Sequence, residues 1–196
     1  FDFYDETDAF RKFRAALYIQ PIITAIFANS PVVNGSYFRE SSFRAKVWLD
    51  TDDARCRLAP IFLTEGARFR DYVEWALDVP MLFIHRHNRY LDFRERNFRE
   101  FVQGRYDGYR ANLGDFVLHL STVFPDVRLK QFLEVRAADM GNRDYVLALP
   151  ALHAGVLYDE AALDNTLALM GNMTPSQWEA MKAAVPAGGL KTRIDN

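Results

Sequence analysis

Few features constrain this chain as tightly as its first thirty residues. Asp5-Glu6-Thr7-Asp8 precedes Phe10, Phe13, Leu17 and an apolar run to Ala28. Acidic side chains in a first turn suit the positive end of a helix dipole, so a long helix is predicted from about Thr7. Pro21 is expected to kink it, because proline lacks the N–H that the ladder needs. Asn29-Ser30-Pro31 stops it, and a polar loop carrying Asn34-Gly35 is read to about Ser42.

Later periodicities are mostly helical. Phe69, Tyr72, Val73 and Ala76 carry the i, i+3, i+4, i+7 spacing of a second helix. Asn97 to Val102 reads as a short helix ended by Gly104. Leu113, Phe116, Leu120, Val123 and Phe124 mark another, closed by Pro125. Residues 143–157 and 160–170 are predicted helical. Thr174-Pro175-Ser176-Gln177 is a capping box with proline at the first helical position, starting a last helix to about Val185 that Gly188-Gly189 ends. Strands are fewer. Val79 to Leu91 alternates and is read as a strand or hairpin turning at Asn88-Arg89. Val127, Leu129, Gln131, Leu133 and Val135 share one parity, so 127–135 is read as one strand entering a loop at Ala137. The class is α+β, helix-rich, with too few strands to close a sheet alone.

Composition excludes several functions. At 196 residues, 49% of them hydrophobic, the chain makes one ordinary domain or two small ones. No run reaches the ~20 apolar residues of a bilayer span, so no membrane partner is expected. A net charge of −2 gives no bulk electrostatic hold on nucleic acid. The single cysteine, Cys56, excludes an internal disulfide and a Cys-rich zinc site and points to a reducing compartment, read as the cytoplasm. Of 24 basic residues 19 are arginine, which fits handling of carboxylate or phosphate and equally fits a GC-rich genome. The opening Phe1-Asp2-Phe3-Tyr4-Asp5 has no leader pattern and reads as the middle of something longer.

Ser42 to Arg55 is the densest polar stretch, with three cations (Arg44, Lys46, Arg55) and three carboxylates (Asp50, Asp52, Asp53) around Trp48. Such a mixture serves chemistry on phosphate or carboxylate groups. It also fits a solvated loop with Asp50 or Asp53 capping the next helix. Glu134-Val135-Arg136 places a carboxylate and a guanidinium on one side of a strand end. The carboxylate could hold Mg²⁺ and the arginine a phosphate, or the two could form a plain ion pair. Asp139 lies just beyond. His85 and His87, at i and i+2, are a weak zinc signal without a third ligand. His119 and His153 stand alone on predicted helices. No Gly-rich phosphate loop and no nucleophile elbow occurs.

In order along the chain stand Leu17-Tyr18-Ile19-Gln20-Pro21, Phe27-Ala28-Asn29-Ser30-Pro31, Ser42-Phe43-Arg44, Trp48-Leu49-Asp50-Thr51-Asp52 and Ala76-Leu77-Asp78-Val79-Pro80-Met81. Phe124-Pro125-Asp126-Val127-Arg128-Leu129-Lys130, Leu133-Glu134-Val135-Arg136-Ala137-Ala138-Asp139, Ala148-Leu149-Pro150-Ala151 and Gly189-Leu190-Lys191-Thr192 follow. Together they resemble the glutamate–cysteine ligase family of the plant and proteobacterial type. The resemblance runs from end to end.

That resemblance implies a glutamine-synthetase-like catalytic fold, an antiparallel sheet flanked by helices, of which residues 1–196 are a C-terminal-half segment. It implies ATP-dependent phosphorylation of the γ-carboxylate of L-glutamate and capture by the amine of L-cysteine, the first step of glutathione biosynthesis. Glu134 then matches a metal-binding glutamate for Mg²⁺, and Arg44 and Arg136 match catalytic arginines at the phosphate. Asn29, Ser30, Ser42, Trp48, Asp50 and Arg55 fall in the substrate- and nucleotide-binding motifs. Plant members carry regulatory cysteines; around Phe93, Gly108 and Leu147 this chain has none, so thiol control is not expected. The family's earlier strands are absent, so the missing N-terminal half is the expected partner and the segment alone is expected to be inactive. Two other readings stay open: a carboxylate–amine ligase with another amine acceptor, and a non-catalytic helical interaction module.

Overall fold

The computed structural model describes residues 1–104, 106 and 108–193. The elements in chain order are α1 (Glu6–Ile26), β1 (Val32–Val33), β2 (Ser36–Tyr37), α2 (Phe43–Leu49), α3 (Asp53–Cys56), α4 (Phe69–Asp78), β3 (Phe83–Arg86), β4 (Arg89–Asp92), α5 (Phe98–Val102), α6 (Leu113–Ser121), β5 (Val127–Leu129), β6 (Leu133–Val135), α7 (Arg143–Leu157), α8 (Glu160–Met170) and α9 (Pro175–Gly188). They form two compact units. Residues 1–51, 60–67 and 126–196 make the first, and residues 52–59 and 68–125 the second. The class is α+β, with small antiparallel sheets among helices.

In the first unit α1 packs against α8 and α9. Asp5 caps it by accepting the Asp8 N–H, and Glu6 and Asp8 supply the acidic first turn. The helix continues through Pro21. A proline there leaves the carbonyl of Leu17 without its helical donor. Trp178 on α9 fills the gap, its indole N–H donating to that carbonyl at 2.9 Å. Tyr18, Met170, Trp178, Met181 and Val185 form the core around this bond. A second cluster of Ile19, Ile23, Phe27 and Ala137 packs against Tyr145, Leu149 and Leu152 of α7. The capping box predicted for α9 is present, with Thr174 and Gln177 exchanging bonds.

Two stretches of this unit differ from expectation. The polar loop after α1 is a tight hairpin, with Asn34 at φ +50° and Gly35 at φ +77°, the left-handed pair of a type I′ turn. Residues 127–135 are not one strand. They fold on Gln131 into β5 and β6, pairing Val127 with Val135, Arg128 with Glu134 and Leu129 with Leu133. The single parity is the cause of the misreading. Two residues equidistant from a central turn residue share parity with each other, so an alternating run fits a straight strand and a symmetric hairpin equally well.

The second unit is centred on Met81, Ile84, Phe98, Phe101 and Tyr106, with Phe93, Tyr109 and Phe116 packed around them. Phe93 stacks on Tyr106 with ring centroids 5.1 Å apart. The predicted hairpin is β3–β4, but it turns at His87-Asn88, whose φ values of 49° and 58° are both left-handed. His87 is therefore in the turn and shares no strand face with His85. His119 is 2% exposed and its Nε2 lies 2.8 Å from the Ala76 carbonyl.

Candidate functional site

Residues 42–55 are not a solvated loop but carry two short helices. Ser42 caps the start of α2 by accepting the Ala45 N–H, and Asp52 caps the start of α3 by accepting the Ala54 N–H; Asp50 instead ends α2, and Asp53 lies inside α3. Helix α2 thereby presents Arg44 and Trp48 within the first unit. Hairpin β5–β6 supplies the facing groups, Glu134 and Arg136, two residues apart at its end. A cleft of about 330 Å³ forms between them, lined by Arg44, Glu134, Arg136, Ala137, Ala138 and His153 among others.

Glu134 is the most heavily compensated group in the cleft. Arg136 lies 2.7 Å from one carboxylate oxygen, Lys130 2.7 Å from the other, and Arg128, paired across the hairpin, 3.5 Å away. Burial pushes the carboxyl up, but hydrogen bonds from Lys130 and Arg136 and the charge of Arg128 outweigh it and hold the group at about 2. The Arg136 guanidinium also stands 5.4 Å from the centroid of the Trp48 ring. Carboxylate and indole together fix where this cation sits.

Arg44 donates to the Arg136 carbonyl at 2.5 Å and the Ala137 carbonyl at 3.0 Å. Burial lowers its pKa, with the nearby Asp139 opposing, so a charged guanidinium is held partly out of water. Asn29, Ser30 and Ser42 converge on Asp139, which lies 7% exposed beyond β6.

Two expected site residues have other commitments. Asp50 is exposed at the end of α2, 3.2 Å from Lys46. Arg55 belongs to the second unit, where its guanidinium donates to Asp52, Thr122 and the carbonyls of Pro80 and Met81. Cys56 is buried. Two residues emerge that the sequence did not single out for the site. Asp139 is one, and its partners are 97 to 110 residues away, beyond any local spacing. His153 is the other. It is 1% exposed, its Nδ1 lies 3.0 Å from the Leu149 carbonyl, and among the described residues its Nε2 has no hydrogen-bond partner. Because a carbonyl only accepts, the proton is assigned to Nδ1, and burial holds the ring's pKa down.

These donors do not make a Mg²⁺ site by themselves. Hard divalent cations need several oxygen ligands, whereas the cleft offers one carboxylate facing three cations. Among the described residues no three His, Cys, Asp or Glu side chains gather in one place.

An α+β frame thus brings two arginines and a compensated carboxylate to one cleft. Comparison with known proteins then shows the family. Residues 2–195 match the model of glutamate–cysteine ligase family 2 (GCS2), and the chain belongs to that family. It is 43% identical over 194 residues to the chloroplastic glutamate–cysteine ligases of Nicotiana tabacum and Arabidopsis thaliana, and 42% to glutamate–cysteine ligase B of Oryza sativa subsp. japonica. Each alignment covers 97% of this chain but only 37–39% of the relative. These relatives are chloroplastic, which overturns the cytoplasmic expectation. A lone cysteine indicates a reducing environment and carries no address.

Proposed function

We propose that this segment belongs to an ATP-dependent ligase joining the γ-carboxylate of L-glutamate to the amine of L-cysteine through γ-glutamyl phosphate, the opening step of glutathione biosynthesis. Family membership supports the reaction class. The observation that carries it is the cleft, where Arg136 is held between Glu134 and Trp48 beside the Arg44 guanidinium.

Transfer of a phosphoryl group is catalysed chiefly by positioning and by charge already in place where negative charge develops. Arg136 suits that task because Glu134 and Trp48 already hold its charge at the cleft before any substrate arrives. Arg44 buttresses the strand end from behind and adds positive potential to the same cleft. In this reading residues 1–196 lie in the C-terminal half of one glutamine-synthetase-like catalytic domain. Glu134 serves Mg²⁺ only when carboxylates from elsewhere in the full-length protein join it.

The test is ADP release and γ-glutamylcysteine formation by the full-length protein given glutamate, cysteine and Mg-ATP. Product with cysteine supports the reading. ADP release with other amines but not cysteine would assign a related carboxylate–amine ligase, and no turnover with any amine would remove the ligase reading.

A further inference from the structure

Asn29, Ser30 and Ser42 lie in motifs expected to contact substrate or nucleotide, yet all three face one carboxylate. Asp139 Oδ2 accepts the Asn29 N–H at 2.8 Å and the Ser30 hydroxyl at 2.6 Å, and Oδ1 accepts the Ser42 hydroxyl at 2.8 Å. The direction of these bonds is forced. A hydroxyl has one hydrogen to give, and an ionised carboxylate only accepts. Ser30 Oγ already accepts the Arg44 N–H at 3.1 Å, and Ser42 Oγ the Ala45 N–H at 3.1 Å. Each serine therefore relays a backbone donor of α2 onto Asp139. The carboxylate that receives them sits two residues beyond Ala137, whose carbonyl the Arg44 guanidinium grips.

Arg44 is thus fixed at both ends by one short stretch of chain, its backbone through Ser30 and Asp139 and its guanidinium through Arg136 and Ala137. Removing the carboxylate would leave two buried or half-buried hydroxyls without that acceptor and cut the tie between the start of α2 and the end of β6, while the Ser42 N–H still donates to the Pro186 carbonyl at 3.0 Å. Displacements of about 1 Å at a distance from the reacting atoms can cost about a hundredfold in rate.

We propose that Asp139 is a positioning residue that clamps the loop after α1 and the start of α2 to the end of β6, so that Asn29, Ser30 and Ser42 act through it to place Arg44 rather than contacting substrate. The placement of Arg44 in catalysis rests on the ligase reading above; the clamp itself does not. Two measurements test it in the full-length protein.

The first is amide hydrogen exchange, which is independent of catalysis. Asp139→Asn should speed exchange at Asn29, Arg44 and Ala45 by about tenfold or more, and unchanged protection would overturn the clamp. The second is steady-state kinetics. D139N should lower kcat by about ten- to a hundredfold while KM for each substrate moves less than about threefold. On an Arg44→Lys background it should add less than about twofold. Full multiplication of the two losses would overturn action through Arg44. Ser30→Ala and Ser42→Ala should lower kcat in the same manner by smaller factors, and they carry the test if D139N fails to fold. A rise in KM with kcat preserved in either serine variant would make these residues substrate contacts. If the wild type makes no product, the ligase reading fails while hydrogen exchange still decides the clamp.

Discussion

At Glu134 three cations share two oxygens. With its pKa held at about 2, the carboxylate is ionised at every pH above about 4. The sign follows from linkage. A depressed carboxylate contributes stability that is complete above its ordinary value near 4.5 and is lost as pH falls from there toward 2. The pH–rate profile of the full-length protein should therefore show no inflection from Glu134 above pH 4, and Glu134→Gln should leave the limbs above pH 4 in place while lowering kcat. Arg136 carries the sharper prediction. Arg136→Lys keeps the charge but loses the planar guanidinium that can grip a phosphate with two parallel bonds, so a loss of about a hundredfold, or ~3 kcal/mol of barrier, is expected in kcat. A fully active R136K enzyme would rule out the arginine's proposed role. Glu134 and Arg136 are legible in the sequence because alternation places i and i+2 together at a strand end. The role of Asp139 is not legible, because chain folding alone brings its partners to it.

Among the elements, the long helices are read closely from periodicity and caps, and α7 and α8 fall where 143–157 and 160–170 place them. The short ones escape. Helix α2 spans seven residues, too few for a repeating apolar face, and its charged sequence resembles a solvated loop. The two-residue strands β1 and β2 have no period at all and are betrayed only by Asn34-Gly35 between them. Helix α1 also carries a dependence that its own sequence does not disclose. The carbonyl freed by Pro21 relies on Trp178 across the core. Trp178→Phe should cost about 1–3 kcal/mol, the usual penalty for leaving a buried acceptor unsatisfied. In a Pro21→Ala background, where residue 21 regains its N–H, that cost should shrink. Urea unfolding of the four variants measures it, and an equal penalty in both backgrounds would show that the indole acts by packing alone.

Across the whole molecule each unit holds one buried, lone histidine, His153 in the first and His119 in the second, at 1% and 2% exposure. Burial lowers both pKa values. A histidine kept neutral by folding contributes stability that is complete above its ordinary value near 6.5 and falls as pH drops below it. The slope is up to about 1.4 kcal/mol per pH unit for each ring. Unfolding free energies at pH 7.5 and 5.5 should therefore differ, and equal values would contradict the assignment. Metal binding is expected to fail at the same scale. Calorimetric titration of Mg²⁺ into residues 1–196 should detect no site tighter than about 1 mM, since one carboxylate among three cations does not hold the ion. The same chain should make no γ-glutamylcysteine. The Asp139 clamp has a further consequence, in time rather than space. Ser42 leaves the ribosome 97 residues ahead of its acceptor, which at ordinary synthesis rates is a delay of roughly 5–20 s. Throughout that interval the loop between α1 and α2 has only its local bonds, such as the Phe43 N–H to the Ser30 carbonyl, and no tie to the end of β6. The cleft is therefore assembled late, and a chain cut short before residue 139 would retain helical signal while lacking the geometry that places Arg44.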